Sequence, residues 1–208
     1  MDREAVEAYA RKRNVSKDPD TLGLHTELLP VPFVGNPRAP VVLLNGNPGF
    51  SDKDEADHED PAFWEAASRN LTHEVAGPAF FPIDPRFKNT AAYKWWTEKL
   101  GPLIGDVGFE SVANGVFCLE AYPYHSRTFP KGTDVPSQAY TRSMLLERIK
   151  SRAFIVGMRA RKVWEPTVPA LRSYSPIHWL NNPRNPTFSP RNLDCYDDLV
   201  SVLKQYGS

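Results

Sequence analysis

At 208 residues, with 25 Lys or Arg against 25 Asp or Glu, the chain is sized for one domain, with or without an extra arm, and a sizeable core. Two cysteines exclude a disulfide framework and a C-x-x-C metal pair, and the charge balance excludes a globally basic polyanion binder. No apolar run approaches a membrane span and the N-terminus is charged rather than signal-like, so a soluble cytoplasmic protein is expected.

Charge is unevenly distributed. Residues 127–191 hold twelve Lys or Arg against Asp134, Glu147 and Glu165, a local excess of nine positive charges; the rest of the chain carries nine negative ones in excess. Such asymmetry marks either an anion-facing side or solvated helix faces. Cys118 lies in an apolar run and Cys195 in an expected helix, which suits buried small hydrophobes in a reducing compartment.

In chain order, residues 1–39 read as a charged helical arm (2–13) and a Pro-rich extended approach, and residues 40–208 as the main domain. Val41 to Leu44 is continuously apolar, as a strand covered on both faces should be. Residues 52–60 read as an acidic loop, and helices follow over 61–74 and 90–103. Tyr93, Trp95 and Trp96 of the second helix fit a core better than a ligand cage.

Further strands are expected at 115–120, 153–157 and 177–180. Helices are expected over 137–150, from strand three to about Pro166, and at the C-terminus, where Asn192 is a plausible cap and Leu193, Tyr196, Leu199, Val200 and Leu203 share a face. Alternating strands and helices predict a three-layer α/β/α domain with a four-stranded, mainly parallel sheet. Its strand-end loops then gather along one edge, where ligands bind in such sheets.

No Gly-rich phosphate loop follows any strand, no G-x-S-x-G elbow is present, and the five histidines fall at no metal-ligand spacing. The usual nucleotide-cofactor and serine-hydrolase chemistries lose their central parts. What remains is polar residues at strand ends: Asn45-Gly46-Asn47-Pro48-Gly49 after strand one, Glu120 to His125 after strand two, and Asn181-Asn182-Pro183-Arg184-Asn185-Pro186 after strand four.

In that order these segments resemble the uracil-DNA glycosylase superfamily, above all its mismatch-specific and single-strand-selective monofunctional branches. Asn45 to Gly49 matches the first motif, Leu180 to Pro186 the late motif, and Asp57 to Trp64 the segment leading into the next helix. The order of elements covers about residues 40–205, while residue-level likeness is confined to the two motifs. The resemblance implies a uracil-DNA glycosylase-like fold, DNA as partner, no cofactor and no metal. Two cysteines also fall short of the four that hold an iron–sulfur cluster in other branches.

The resemblance further implies hydrolysis of the N-glycosidic bond of a flipped nucleotide. Asn47 would orient the attacking water; an amide is too weakly basic to remove its proton. Gly46, Pro48, Gly49 and Phe50 would frame the base, with Phe50 stacking on it. Glu120 or Tyr122 would read it, and His178 or Asn182 would face the leaving group. Ser51, Arg184, Asn185 and Arg191 would meet phosphates, and the loop bearing Pro186 and Phe188 would fill the gap left by the flipped base.

Three residue choices depart from the family pattern. Leu180 stands where the late motif has a histidine, with His178 two residues earlier. Glu120 stands where the single-strand-selective branch has an asparagine; an ionised carboxylate only accepts hydrogen bonds and would favour an amino-bearing or doubly N–H-presenting base over uracil. The acidic 52–60 segment follows the first motif. A catalytically deficient nucleobase, nucleotide or nucleic-acid binder of the same fold is the alternative, and a small-molecule hydrolase working through Glu120 and His125 a third reading.

Overall fold

A computed structural model describes residues 2–13, 23–74, 77–130, 134–175 and 177–207. Its centre is a five-stranded mixed sheet in the order β1-β3-β2-β4-β5. The strands are β1 (Phe33–Gly35), β2 (Val41–Asn45), β3 (Val116–Glu120), β4 (Phe154–Gly157) and β5 (Ile177–Trp179). β2 to β5 run parallel, as the alternation of strands and helices predicts, whereas β1 pairs antiparallel with β3. The Pro-rich approach supplies β1: Phe33-Val34-Gly35 lies just after Pro32, and an edge strand tolerates neighbouring prolines because one of its sides needs no ladder donors. The 1–39 segment therefore contributes a strand to the sheet.

Eight α-helices surround the sheet among the described residues: α1 (Arg3–Arg13), α2 (Asp54–Glu59), α3 (Pro61–Leu71), α4 (Ala91–Val107), α5 (Phe109–Gly115), α6 (Gln138–Lys150), α7 (Arg161–Thr167) and α8 (Tyr196–Tyr206). None is long and apolar enough to cross a membrane. Strand side chains alternate between two cores. Val41, Leu43, Val116, Cys118 and Val156 pack with Phe63, Trp96, Leu100, Val112 and Leu199, under α3, α4, α5 and α8. Val42, Leu44, Phe117, Leu119 and Ile155 pack with Leu145 and Trp164, under α6 and α7. With both faces covered, β2, β3 and β4 have no polar alternation to show, which is why they read as apolar runs.

Two local outcomes bear on the site. The acidic stretch expected as a loop forms α2: Asp54 Oδ2 accepts from Ser51 N and Oγ (2.5 and 2.7 Å), and three acidic residues in the first turn complement the helix dipole. Asp60 then caps α3 through Ala62 N (2.8 Å), with Pro61 opening that helix. At the other end of the chain, α8 begins four residues past Asn192. The Asn192 side chain instead accepts from Asn182 N (2.7 Å) and donates to Asn185 O and Thr187 O (3.2 and 2.9 Å), so it staples the late loop rather than capping a helix.

β3 and β4 flank β2 on opposite sides, so the chain leaves the carboxyl end of β2 at the topological switch point of the parallel sheet. Open α/β sheets bind their ligands in the crevice at that point. The segment that emerges there is Gly46 to Ser51.

Candidate active site

A cleft of about 450 Å³ opens at this switch point. Its floor is the end of β2 and β3 (Asn45, Gly46, Glu120), one wall is Asn47 to Ser51 with His125 to Arg127, and the other is α3 and α4 with Phe63, Trp95 and Trp96. Ala121 N and Trp164 Nε1 both donate to Asn45 O (3.4 and 2.7 Å), which anchors the strand end where the loop begins. Gly46 matters for space. A Cβ there would lie 3.1 Å from the Phe129 ring, closer than ordinary contact.

Asn47 is held by its amide nitrogen. Nδ2 donates to Pro48 O (2.8 Å), Ser126 Oγ (2.9 Å) and Ser126 O (3.2 Å), while Ser126 N donates to Pro48 O (3.2 Å). Three acceptors around one NH₂ determine which end of the carboxamide is oxygen. Oδ1 therefore remains a hydrogen-bond acceptor in the wall of the cleft. A turn-forming Asn-Pro-Gly needs none of the Ser126 contacts, so this packing exceeds what turn formation asks.

On the floor, Asn45 and Glu120 are register partners in adjacent parallel strands, and Asn45 Nδ2 donates to Glu120 Oε1 at 2.9 Å. They are 4% and 3% exposed. Burial pushes the Glu120 carboxyl up to about 8, against the opposing pull of the Asn45 hydrogen bond and the Arg159 charge. At neutral pH the group is then a carboxylic acid carrying an O–H donor. The acceptor-only chemistry expected of Glu120 is reversed by its burial: a neutral carboxyl both donates and accepts, as an asparagine does. Among the described residues Asn45 Oδ1 and Glu120 Oε2 have no hydrogen-bond partner, leaving two buried polar atoms available to a ligand.

Phe50 lines the cleft, but His25 stacks on one of its faces with ring centroids 3.4 Å apart, and the Arg127 guanidinium lies 5.1 Å from its centroid. A base stacking on Phe50 has to displace either the His25 ring or the Arg127 guanidinium that lies over it. Ser51 also lines the cleft, but its N–H is already taken by Asp54 and does not serve a phosphate in this conformation. Trp95 and Trp96, read from sequence as core, do pack together edge to face (4.6 Å), and both also face the cleft.

The structure does not bring the remaining sequence candidates to the cleft. His178 sits on the edge strand β5, stacked on Phe154 (5.1 Å), because a parallel β5 carries it along the outside of β4. Leu180 is buried in the core. Tyr122 lies in the core on the α6–α7 side of the sheet, edge-on to Phe129. Asn182 is exposed and accepts from Arg184 N and Asn185 N (3.2 and 3.3 Å), a turn-stabilising role. Arg184, Asn185 and Arg191 are exposed nearby on the same late loop and the segment after it. Phe188 is 0% exposed and Pro186 is buried, so neither is a wedge; Phe188 N donates to Lys99 O and its ring fills the α4–α8 core.

Several cleft residues went unassigned in the sequence. Arg159, two residues past β4, lines the cleft, lies over Trp95 (5.5 Å) and donates to Pro183 O and Arg184 O (3.1 and 3.3 Å), tying the late loop to the cleft. Its place at a strand end was the available signal. His58, Asp54 and Ser126 are recruited by α2 and by the loop after β3. Among the described residues, no group of three or more His, Cys, Asp or Glu is arranged to hold a metal ion.

Fold and cleft together define an α/β protein with an aromatic-walled pocket at the switch point of its parallel strands. No protein-family model, curated protein or solved structure matches the chain.

Proposed function

We propose that the chain is a divergent member of the uracil-DNA glycosylase superfamily, with that superfamily's α/β/α fold, and that it hydrolyses the N-glycosidic bond of a damaged or deaminated base flipped out of DNA. The observation that carries this reading is the fixed carboxamide of Asn47. Its nitrogen is consumed by Ser126 and Pro48, and its oxygen remains an acceptor able to orient a water at the switch-point cleft. Positioning of this kind contributes by near-attack geometry rather than by proton removal. The neutral Glu120 and Asn45 supply donor and acceptor to a base edge, and the Trp95 and Phe50 rings supply apolar surface. Exposed Arg184 and Arg191 meet DNA phosphates.

The test is base release from single- and double-stranded oligonucleotides carrying uracil, hypoxanthine, xanthine or mismatched thymine, with Asn47→Ala beside the wild type. Release that depends on Asn47 supports the reading; no release from any substrate rejects the enzyme. The position of His178 outside the cleft favours a second reading, a nucleobase or nucleic-acid binder that keeps the fold without the chemistry. DNA affinity that falls steeply with salt, without base release, identifies that protein.

A further inference from the structure

The glycosylase reading leaves one step without a residue: an amide orients water but does not take its proton. Two histidines to which the glycosylase reading gives no role sit at the cleft. His125 is 6% exposed; its Nδ1–H donates to Gly49 O (2.8 Å), so the neutral ring carries its lone pair on Nε2. Nε2 is buried and has no hydrogen-bond partner among the described residues. His58, edge-on to His125 at 5.2 Å, repeats the pattern: Nδ1 bonds to Asp54 O (2.7 Å) and Nε2 is unpartnered. A buried basic lone pair left unpaired is costly in a purely structural site and calls for an explanation.

His125 rather than His58 shares a wall with Asn47. Gly49 accepts from the His125 ring, Pro48 accepts from Ser126 N, and Asn47 Nδ2 donates to Ser126, so residues 47–49 and 125–126 are laced side by side. Resting on the glycosylase reading, we infer that Nε2 of His125 is the general base that takes the proton from the water oriented by Asn47. The water oxygen forms its bond to C1′, its proton passes to Nε2, and the C1′–N bond breaks with its electron pair leaving on the base. The imidazolium then faces an anionic leaving base, which places a positive charge near the leaving group from a loop other than the late motif. Transfer of the proton to base or solvent restores the neutral ring.

The surroundings keep the ring neutral and basic. Burial lowers the affinity of His125 for a proton, opposed by its bond to Gly49 O and by Asp54, and assisted by His58 on α2 and His25 in the approach. Arg127 lies next along the wall and pairs with the exposed Asp52 carboxylate outside it.

The experiment is single-turnover base release between pH 5 and 9 by wild type, His125→Gln, and His125→Ala with and without imidazole. Wild-type rates should rise through a titration below the ordinary histidine range, level off near neutrality, and fall only where Glu120 loses its proton at about 8. His125→Gln should lose ~10²-fold or more, with that limb absent, as expected for removal of a general base. Imidazole free base should restore His125→Ala, which a merely structural role does not allow. A His125→Gln rate within about threefold of wild type with the same profile overturns the inference and leaves the glycosylase reading standing. Should the variants not fold, a wild-type profile without the acidic limb overturns it equally. No release by folded wild type overturns both.

Discussion

Asn45 and Glu120 face each other at the ends of adjacent parallel strands, the amide of one donating to the carboxyl of the other at 2.9 Å, with one oxygen of each left unpartnered among the described residues. The pair forms the floor of the cleft, and its behaviour follows from burial. The carboxyl is pushed up from the ordinary 4.5 to about 8 in the folded protein, so the native state holds a proton that the unfolded chain has released. Stability is then greatest below the unfolded value and falls as pH rises toward 8, by at most about 1.4 kcal/mol per pH unit from this group. Glu120→Gln keeps donor, acceptor and shape. It should remove that slope in denaturant titrations from pH 5 to 8 and leave base preference unchanged; a steep slope retained in the variant would place its origin elsewhere.

Asn47→Ala should reduce base release by about 10²-fold or more, since positioning errors at the nucleophile carry penalties of that order, and cost about 1 kcal/mol of stability through the lost Nδ2 bonds. Asn47→Asp is predicted to be worse for the fold. It sets a carboxylate against Pro48 O and Ser126 O, which now accept from Nδ2 at 2.8 and 3.2 Å. Loss of a part-buried bond plus acceptor–acceptor contact should cost about 1–3 kcal/mol, read by urea unfolding at neutral pH.

The late loop separates into a buried half and an exposed half. Phe188→Ala opens the α4–α8 core and should destabilise by about 3–5 kcal/mol. Arg184→Ala, on the exposed half, should leave stability within about 0.5 kcal/mol and lower DNA affinity with a salt slope shallower by about 1. The opposite assignment, a benign Phe188→Ala that abolishes base flipping, would return Phe188 to the role of wedge.

Gly157 ends β4 directly against Trp179 of β5; a Cβ there would lie 2.0 Å from the indole. Gly157→Ala should cost about 1–3 kcal/mol through overpacking, and Trp179→Leu should recover part of it in a double-mutant cycle. Additivity of the two changes would show that the indole moves aside freely.

Much of the molecule was legible in one dimension. β2, β3 and β4 announced themselves as apolar runs because each is covered on both faces, and α6 lies where a helix was expected over 137–150. Gly46 to Ser51, with Glu120, was recognisable as strand-end chemistry, since parallel strands deliver their loops to one edge whatever the detailed packing. Local propensity also left gaps. β1 owes its form to β3, a partner that neighbouring sequence does not reveal; α2 rests on the local Ser51–Asp54 turn, a signal that the dense run of charges at 52–60 masked.

Chemical state and direction were decided in three dimensions. Glu120 reads as an anion until two strands and a helix layer remove its water, and only then does it become a donor. His178 and His125 are equally eligible by sequence. Strand order puts the first on an outer edge and the second on the wall beside Asn47, because which residues meet at a switch point depends on which strands become neighbours. Asn47 itself was identifiable as a turn residue with a possible role. That its nitrogen is consumed and its oxygen left available depends on Ser126, 79 residues away in the chain, and no local pattern encodes that pairing.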